Sequence, residues 1–159
     1  MTDKNWKIFM PITIPPLCRV CAHLMTPEIP TCNAFPGGIP AKFLAGERHI
    51  DTVPVDHGIA FRKKTEAPSW FIAGTAPETL FRVTCTGSYE RYVPILDLWE
   101  LDNEFIRYIL AIPLAYRPVT GQEADAFIEK TRECLEAMNP CMRENRQKMY
   151  LSTRKSDFP

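Results

Sequence analysis

The chain has 159 residues, 45% of them hydrophobic, and its 19 basic side chains balance 19 acidic ones. That apolar share excludes wholesale disorder and can fill a sizeable core, while zero net charge argues against a dedicated nucleic-acid binder, which carries a basic excess. No stretch approaches the roughly eighteen consecutive apolar residues of a spanning helix, and Met1–Lys7 lacks the apolar run and cleavage site of a signal peptide, so the expected location is the cytoplasm.

Fifteen prolines punctuate the chain. Pro11, Pro15, Pro16, Pro27, Pro30, Pro36, Pro40 and Pro54 keep regular helices out of residues 1–60. This part is expected to be loop-rich, with short strands at most. Trp6–Ile14 alternates loosely and reads as one strand leading through Pro15-Pro16. Ile39–Leu44 fits a single helical turn with Pro40 at its first position. So loop-rich a segment cannot bury enough apolar area alone, and a bound metal would replace the missing core.

From residue 69 the pattern changes. Ser69–Ala73 is an apolar run. Thr79–Thr86 alternates at period two, with Leu80, Arg82 and Thr84 on one side and Phe81, Val83 and Cys85 on the other. Gly87-Ser88 supplies a turn, Arg91–Trp99 is rich in β-branched and aromatic residues, and Pro94 marks an edge or a break. The last third reads as helical. Asp102–Ile112 carries Phe105, Ile106, Ile109 and Leu110 at helical spacing before Pro113. Thr120-Gly121-Gln122-Glu123 is a capping box. The helix after it has Ala124, Phe127, Ile128, Thr131, Leu135 and Met138 on one stripe. Asn139-Pro140 then suits the start of a short helix to about Leu151. These elements predict an α+β fold. A loop-rich, metal-bound subdomain over residues 1–64 precedes a small antiparallel sheet with two or three C-terminal helices over residues 65–159, the two forming one compact unit.

The chemistry concentrates in Cys18-Arg19-Val20-Cys21 and Cys32. A C-x2-C knuckle points two sulfurs at one ion, and three soft thiolates favour zinc or an iron–sulfur cluster over magnesium or calcium. In a reducing compartment such clusters bind metal more often than they form disulfides. Cys85, Cys134 and Cys141 are scattered and read as small buried hydrophobes. The fourth ligand must come from the three histidines. His23 is too close to the knuckle, His49 is far enough for a loop to return it, and His57 is the next choice. Spacing favours His49.

Residues 18–61 resemble a family of small bacterial proteins of uncharacterised function. Its pattern is C-x2-C, then C-x-A-F-P-x-G-I-P, a glycine, a histidine and D-x-G-I-x-F. The matching pieces here are Cys18, Cys21, Cys32–Pro40, Gly46, His49 and Asp56–Phe61. The chain departs from the pattern at the proline after the histidine, here Pro54. The resemblance implies no activity, but it sets His49 at the family's histidine and so supports the ligand set Cys18, Cys21, Cys32 and His49. Within the motif, Phe35 and Ile39 are expected to pack under the site, and Gly37 and Gly38 to allow positive φ.

A catalytic role is the weaker reading. There is no His-x-Glu with Pro-Cys-x-x-Cys, no phosphate loop and no nucleophile elbow. Asp51, Asp56 and His57 lie near enough to His49 to serve as acid–base groups, but Asp56 before His57-Gly58 is more simply a turn residue. Arg62-Lys63-Lys64 with Trp70 and Phe71 offers a modest nucleic-acid surface, against which stand the neutral charge and an acidic middle; the triplet reads as a solvated turn and the aromatics as core. The sequence therefore points to a cytoplasmic bacterial or phage binding or adaptor protein with a structural zinc site. Its partner is expected to be another protein, as for an immunity or accessory protein acting on a larger effector. The alternative is a metalloenzyme or iron–sulfur redox protein on the same Cys3His ligands. If metal binding is folding energy here, Cys18→Ser or Cys32→Ser unfolds residues 15–61 while Cys85→Ser is mild, as read by limited proteolysis and circular dichroism. Equal behaviour of all three would remove the metal from the account.

Overall fold

The structure is a computed structural model that describes residues 14–26, 29–66, 69–74, 78–104 and 116–156. The first element, α1 (Pro16–Val20), begins with Pro15 as N-cap and Pro16 at the first helical position, where a fixed φ suits the helix and no amide is lost. It ends at once, because Cys21 returns to extended backbone. A short ribbon follows, β1 (Leu24–Thr26) against β2 (Thr31–Cys32), antiparallel with Leu24 opposite Cys32. The predicted turn near Ile39–Leu44 is α2 (Ala41–Leu44), with Pro40 as its N-cap rather than its first residue.

Five strands then form one antiparallel sheet: β3 (Ser69–Ala73), β4 (Thr79–Val83), β5 (Tyr89–Val93), β6 (Leu98–Leu101) and β7 (Tyr116–Val119), in the order β6-β5-β4-β3-β7. Pro94 breaks the Arg91–Trp99 run, as its ring requires, and a 3-10 turn at Pro94–Leu96 separates β5 from β6. The sheet is buried on both faces. Phe71, Ala73, Phe81, Val83 and Tyr89 pack with Leu17 and Val20 of α1 and with Phe61. Ile72, Leu80 and Tyr92 pack beneath Ala124, Phe127 and Ile128 of α3 (Gly121–Glu136). Both Leu80 and Phe81 are therefore core residues, which is why Ser69–Ala73 reads as a continuous apolar run.

Helix α3 opens with the predicted capping box: Glu123 N–H donates to Thr120 Oγ1 at 3.2 Å and Thr120 N–H to Glu123 Oε2 at 2.8 Å. Helix α4 (Pro140–Ser156) is capped by Asn139, whose Oδ1 accepts from Cys141 N–H at 2.9 Å. Between Pro140 and Thr153 every side chain of α4 is exposed except Tyr150. The Tyr150 hydroxyl donates to buried Glu100 and accepts from Arg91 at 3.4 Å.

Several expectations need correction. Cys85, Cys134 and Cys141 are exposed, not buried: Cys85 sits in the turn after β4, and the other two lie on solvent faces of α3 and α4. The Arg62-Lys63-Lys64 triplet is not wholly a solvated turn. Cys21 bridges to Lys63, which is buried and donates through Nζ to Thr65 O at 3.2 Å. Gly38 has positive φ at 129°, but Gly37 does not share that conformation. Strand β7 carries Pro118 opposite Phe71, and it lies at the edge of the sheet, where a proline is tolerated because only one neighbour needs its amide. Of the predicted helix Asp102–Ile112, Asn103 and Glu104 are helical and residues 105–112 lie outside the described residues. The predicted strand Trp6–Ile14 lies outside them too, apart from Ile14, which is buried and irregular. Among the described residues no helix is long and apolar enough to cross a membrane.

Gly87 joins the halves of the molecule. Its φ is 77°, and an added Cβ would lie 2.8 Å from Ile50 Cγ2 and 3.0 Å from a Phe61 ring carbon. Gly87→Ala is expected to lower stability by roughly 1–3 kcal/mol through strain and overpacking, measured by urea denaturation. At α3, the amide and hydroxyl of Thr120 hold Glu123 below the ordinary carboxyl value of 4.5. A depressed acid stabilises the fold above its unfolded value and loses that contribution as pH falls through the folded one. The thermal midpoint of Glu123→Gln is therefore expected to fall less steeply than wild type below about pH 4.5.

Candidate metal centre

The knuckle, β2 and the loop after α2 surround one small cavity of about 30 Å³. Cys18, Cys21, Cys32 and His49 all line it, against an apolar wall that includes Phe35, Ile39 and Phe43. Each donor arrives by a local constraint. The early end of α1 turns Cys21 back beside Cys18, and Cys21 N–H donates to Cys18 O at 3.1 Å. Pairing of β1 with β2 lays Cys32 alongside the knuckle. The chain then folds back, with Cys32 and Phe35 exchanging backbone bonds of 3.3 and 2.9 Å. As expected, Phe35 and Ile39 are buried beneath the site, packed with Cys32, Ala34 and Phe43.

His49 is held on three sides. Its ring lies 5.0 Å from that of Phe35 and 4.8 Å from that of Phe43. Its Nε2 is 2.8 Å from Oδ2 of Asp56, which is fully buried. Asp56 accepts two further N–H bonds, from Val53 at 2.6 Å and Gly58 at 2.9 Å. His57 and Gly58 allow this tight turn by adopting positive φ, 57° and 74°.

The electrostatics follow from burial. Desolvation, with smaller contributions from negative charge on Cys21 and Cys32, pushes the Cys18 thiol up to about 12. Burial also raises Cys32, although the amides of Phe35 and Ala34 donate toward its sulfur and oppose the shift. Burial alone would raise Asp56, but the Val53, His49 and Gly58 donors together outweigh it and hold the carboxyl below its usual range. Cys18 and Cys32 in this apolar pocket are thus held toward the neutral thiol on their own. A cation among them reverses the balance, since only thiolates ligate it and its charge answers theirs.

The donor set fits a soft divalent ion or a small cluster: three sulfurs, one imidazole, amides aimed at one sulfur and a carboxylate behind the imidazole. As the side chains stand, no group of three or more His, Cys, Asp and Glu among the described residues converges tightly enough to hold an ion. His23 and His57 do not line the cavity, and His57 is exposed in its turn. Of the acid–base candidates beside His49, Asp51 is exposed, while Asp56 is both the turn residue and the partner of His49. Sequence reasoning saw only the first of those roles; its one available signal was the Asp-His-Gly turn seven residues beyond a motif histidine. Compared with protein-family models, curated proteins and solved structures, the chain matches none.

Proposed function

We propose that this protein is a non-enzymatic binding or adaptor protein whose N-terminal half is pinned by a structural zinc ion on Cys18, Cys21, Cys32 and His49. The observation that carries this reading is the shared cavity: side chains up to 31 positions apart in sequence line one apolar space, and they are the soft donors such an ion takes. When bound, the ion supplies the charge that keeps these thiols ionised. The chain's own residues exclude water and orient the imidazole. The motif that resembles that of the small bacterial family covers the same donors, and a reducing compartment such as the cytoplasm would keep them available.

The adaptor role draws support from the surface. Met142 and Met149 of α4 are 57% and 68% exposed, and Leu101 on edge strand β6 is 62% exposed. Unpartnered apolar side chains of this kind suit a protein partner, and an immunity or accessory protein acting on a larger effector is one such role. Nucleic acid is a weaker fit, because Phe71 is sealed in the core and only Trp70 is left to stack on a base. The second reading is an iron–sulfur protein on the same ligands, which the donor set accommodates equally well.

Elemental analysis with an absorbance spectrum, on protein purified without a metal-affinity tag, separates these readings. One zinc per chain and no visible band is the expected result. Iron with a visible band would move the protein to redox chemistry, and a metal-free chain that stays folded would overturn both.

A further inference from the structure

A fully buried carboxylate is costly unless hydrogen bonds answer it. Asp56 has three contacts that can do so: the Val53 amide and His49 Nε2 on Oδ2, and the Gly58 amide on Oδ1. The two backbone amides already fix the turn, so the bond to His49 needs another explanation. As a carboxylate Asp56 only accepts, and both of its oxygens already take backbone N–H groups, Val53 at 2.6 Å and Gly58 at 2.9 Å. Across the 2.8 Å contact the hydrogen therefore belongs to His49 Nε2. A neutral imidazole protonated on one nitrogen carries its lone pair on the other. Phe35 and Phe43 flank the ring and limit its rotation, and the ring lines the cavity of the three thiols.

We propose that Asp56 is a positioning residue of the metal centre: it holds the His49 proton on Nε2 and so makes Nδ1 the metal-binding nitrogen. The inference rests on the proposed site at Cys18, Cys21, Cys32 and His49, and it makes the tautomer of that site a property of the Val53–Gly58 turn. An amide in place of the carboxylate breaks the arrangement. With its oxygen toward Val53 and His49 it leaves the NH2 against the Gly58 amide. Turned the other way, it donates to Nε2 and drives the ring proton onto Nδ1. Outer-shell partners of this kind are worth about 10–100-fold in metal affinity.

The test is NMR of the full chain loaded with 113Cd, together with zinc competition on wild type and Asp56→Asn. The expected result is a 113Cd coupling to His49 Hε1 without one to Hδ2, Nε2 protonated in long-range 1H–15N spectra, and about 10–100-fold weaker zinc binding by a folded Asp56→Asn. Coupling to both ring protons, which marks Nε2 ligation, or cadmium bound without His49, would overturn the role of Asp56 and leave the cysteine site standing. Failure of the wild type to bind cadmium or zinc would overturn the site and this inference with it. The wild-type couplings decide the question even if Asp56→Asn does not fold.

Discussion

The proline-rich N-terminal segment has almost no backbone ladder and must find its order elsewhere. Among the described residues between Ile14 and Glu66, the regular structure amounts to two short helices and a two-strand ribbon, too little to close a core by hydrogen bonding of the main chain. Order comes instead from side chains that satisfy specific backbone groups. The hydroxyl of Tyr89 accepts the Leu17 amide at 3.2 Å, one of the unpaired donors at the start of α1. Asp56 does the same for Val53 and Gly58. Around these ties the motif packs Cys32, Ala34, Phe35, Ile39 and Phe43 into a small apolar cluster, with Cys18 against it.

The cluster does not stand alone. Leu17 and Val20 reach from α1 into the core on one face of the sheet, so the loops that carry the thiols are seated on a rigid antiparallel platform. Lys64 N–H donates to Val20 O at 3.0 Å and Ala22 N–H to Arg62 O at 2.7 Å, which ties the exit of the segment to its entry. The other face of the sheet is closed by α3, held in place by its cap and by an aromatic row in which Arg82 stacks 4.3 Å from Trp99 while pairing with Glu90 at 2.6 Å. Helix α4 stands apart from this packing. It lies beside the Pro94–Leu96 turn; between Pro140 and Thr153 its side chains are exposed apart from Tyr150, which reaches Glu100 and Arg91 of the sheet.

This division explains the chemistry assigned to the two halves. An apolar pocket that leaves thiols neutral is a poor place for a nucleophile, because the reactive species is the thiolate. It is a good place for an ion that ionises them and is then shielded from water. Met142 and Met149 of α4 and Leu101 of β6 are exposed away from the residues that line the pocket, where a partner can reach them.

What the sequence determined by itself was local. Pro94 set the break between β5 and β6, and Thr120 with Glu123 the start of α3, because each acts on φ or on an amide within a few residues; the one-turn helix α1, by contrast, departs from the expectation that Pro15 and Pro16 exclude helices, since they form its cap and first residue. The spacing of Cys18, Cys21, Cys32 and His49 was likewise legible as a ligand pattern. The tertiary structure decided what depends on distant neighbours. Pro118 became a strand residue because β3 left an edge open beside it. Cys85, Cys134 and Cys141 fell on the outside because burial is a property of the packed surface, not of the residue type. Spacing in the sequence favours His49 over His23 and His57; only the fold showed its ring lining the cavity and tied to Asp56, because a carboxylate and a ring seven residues apart are known to be partners only once they are seen to meet.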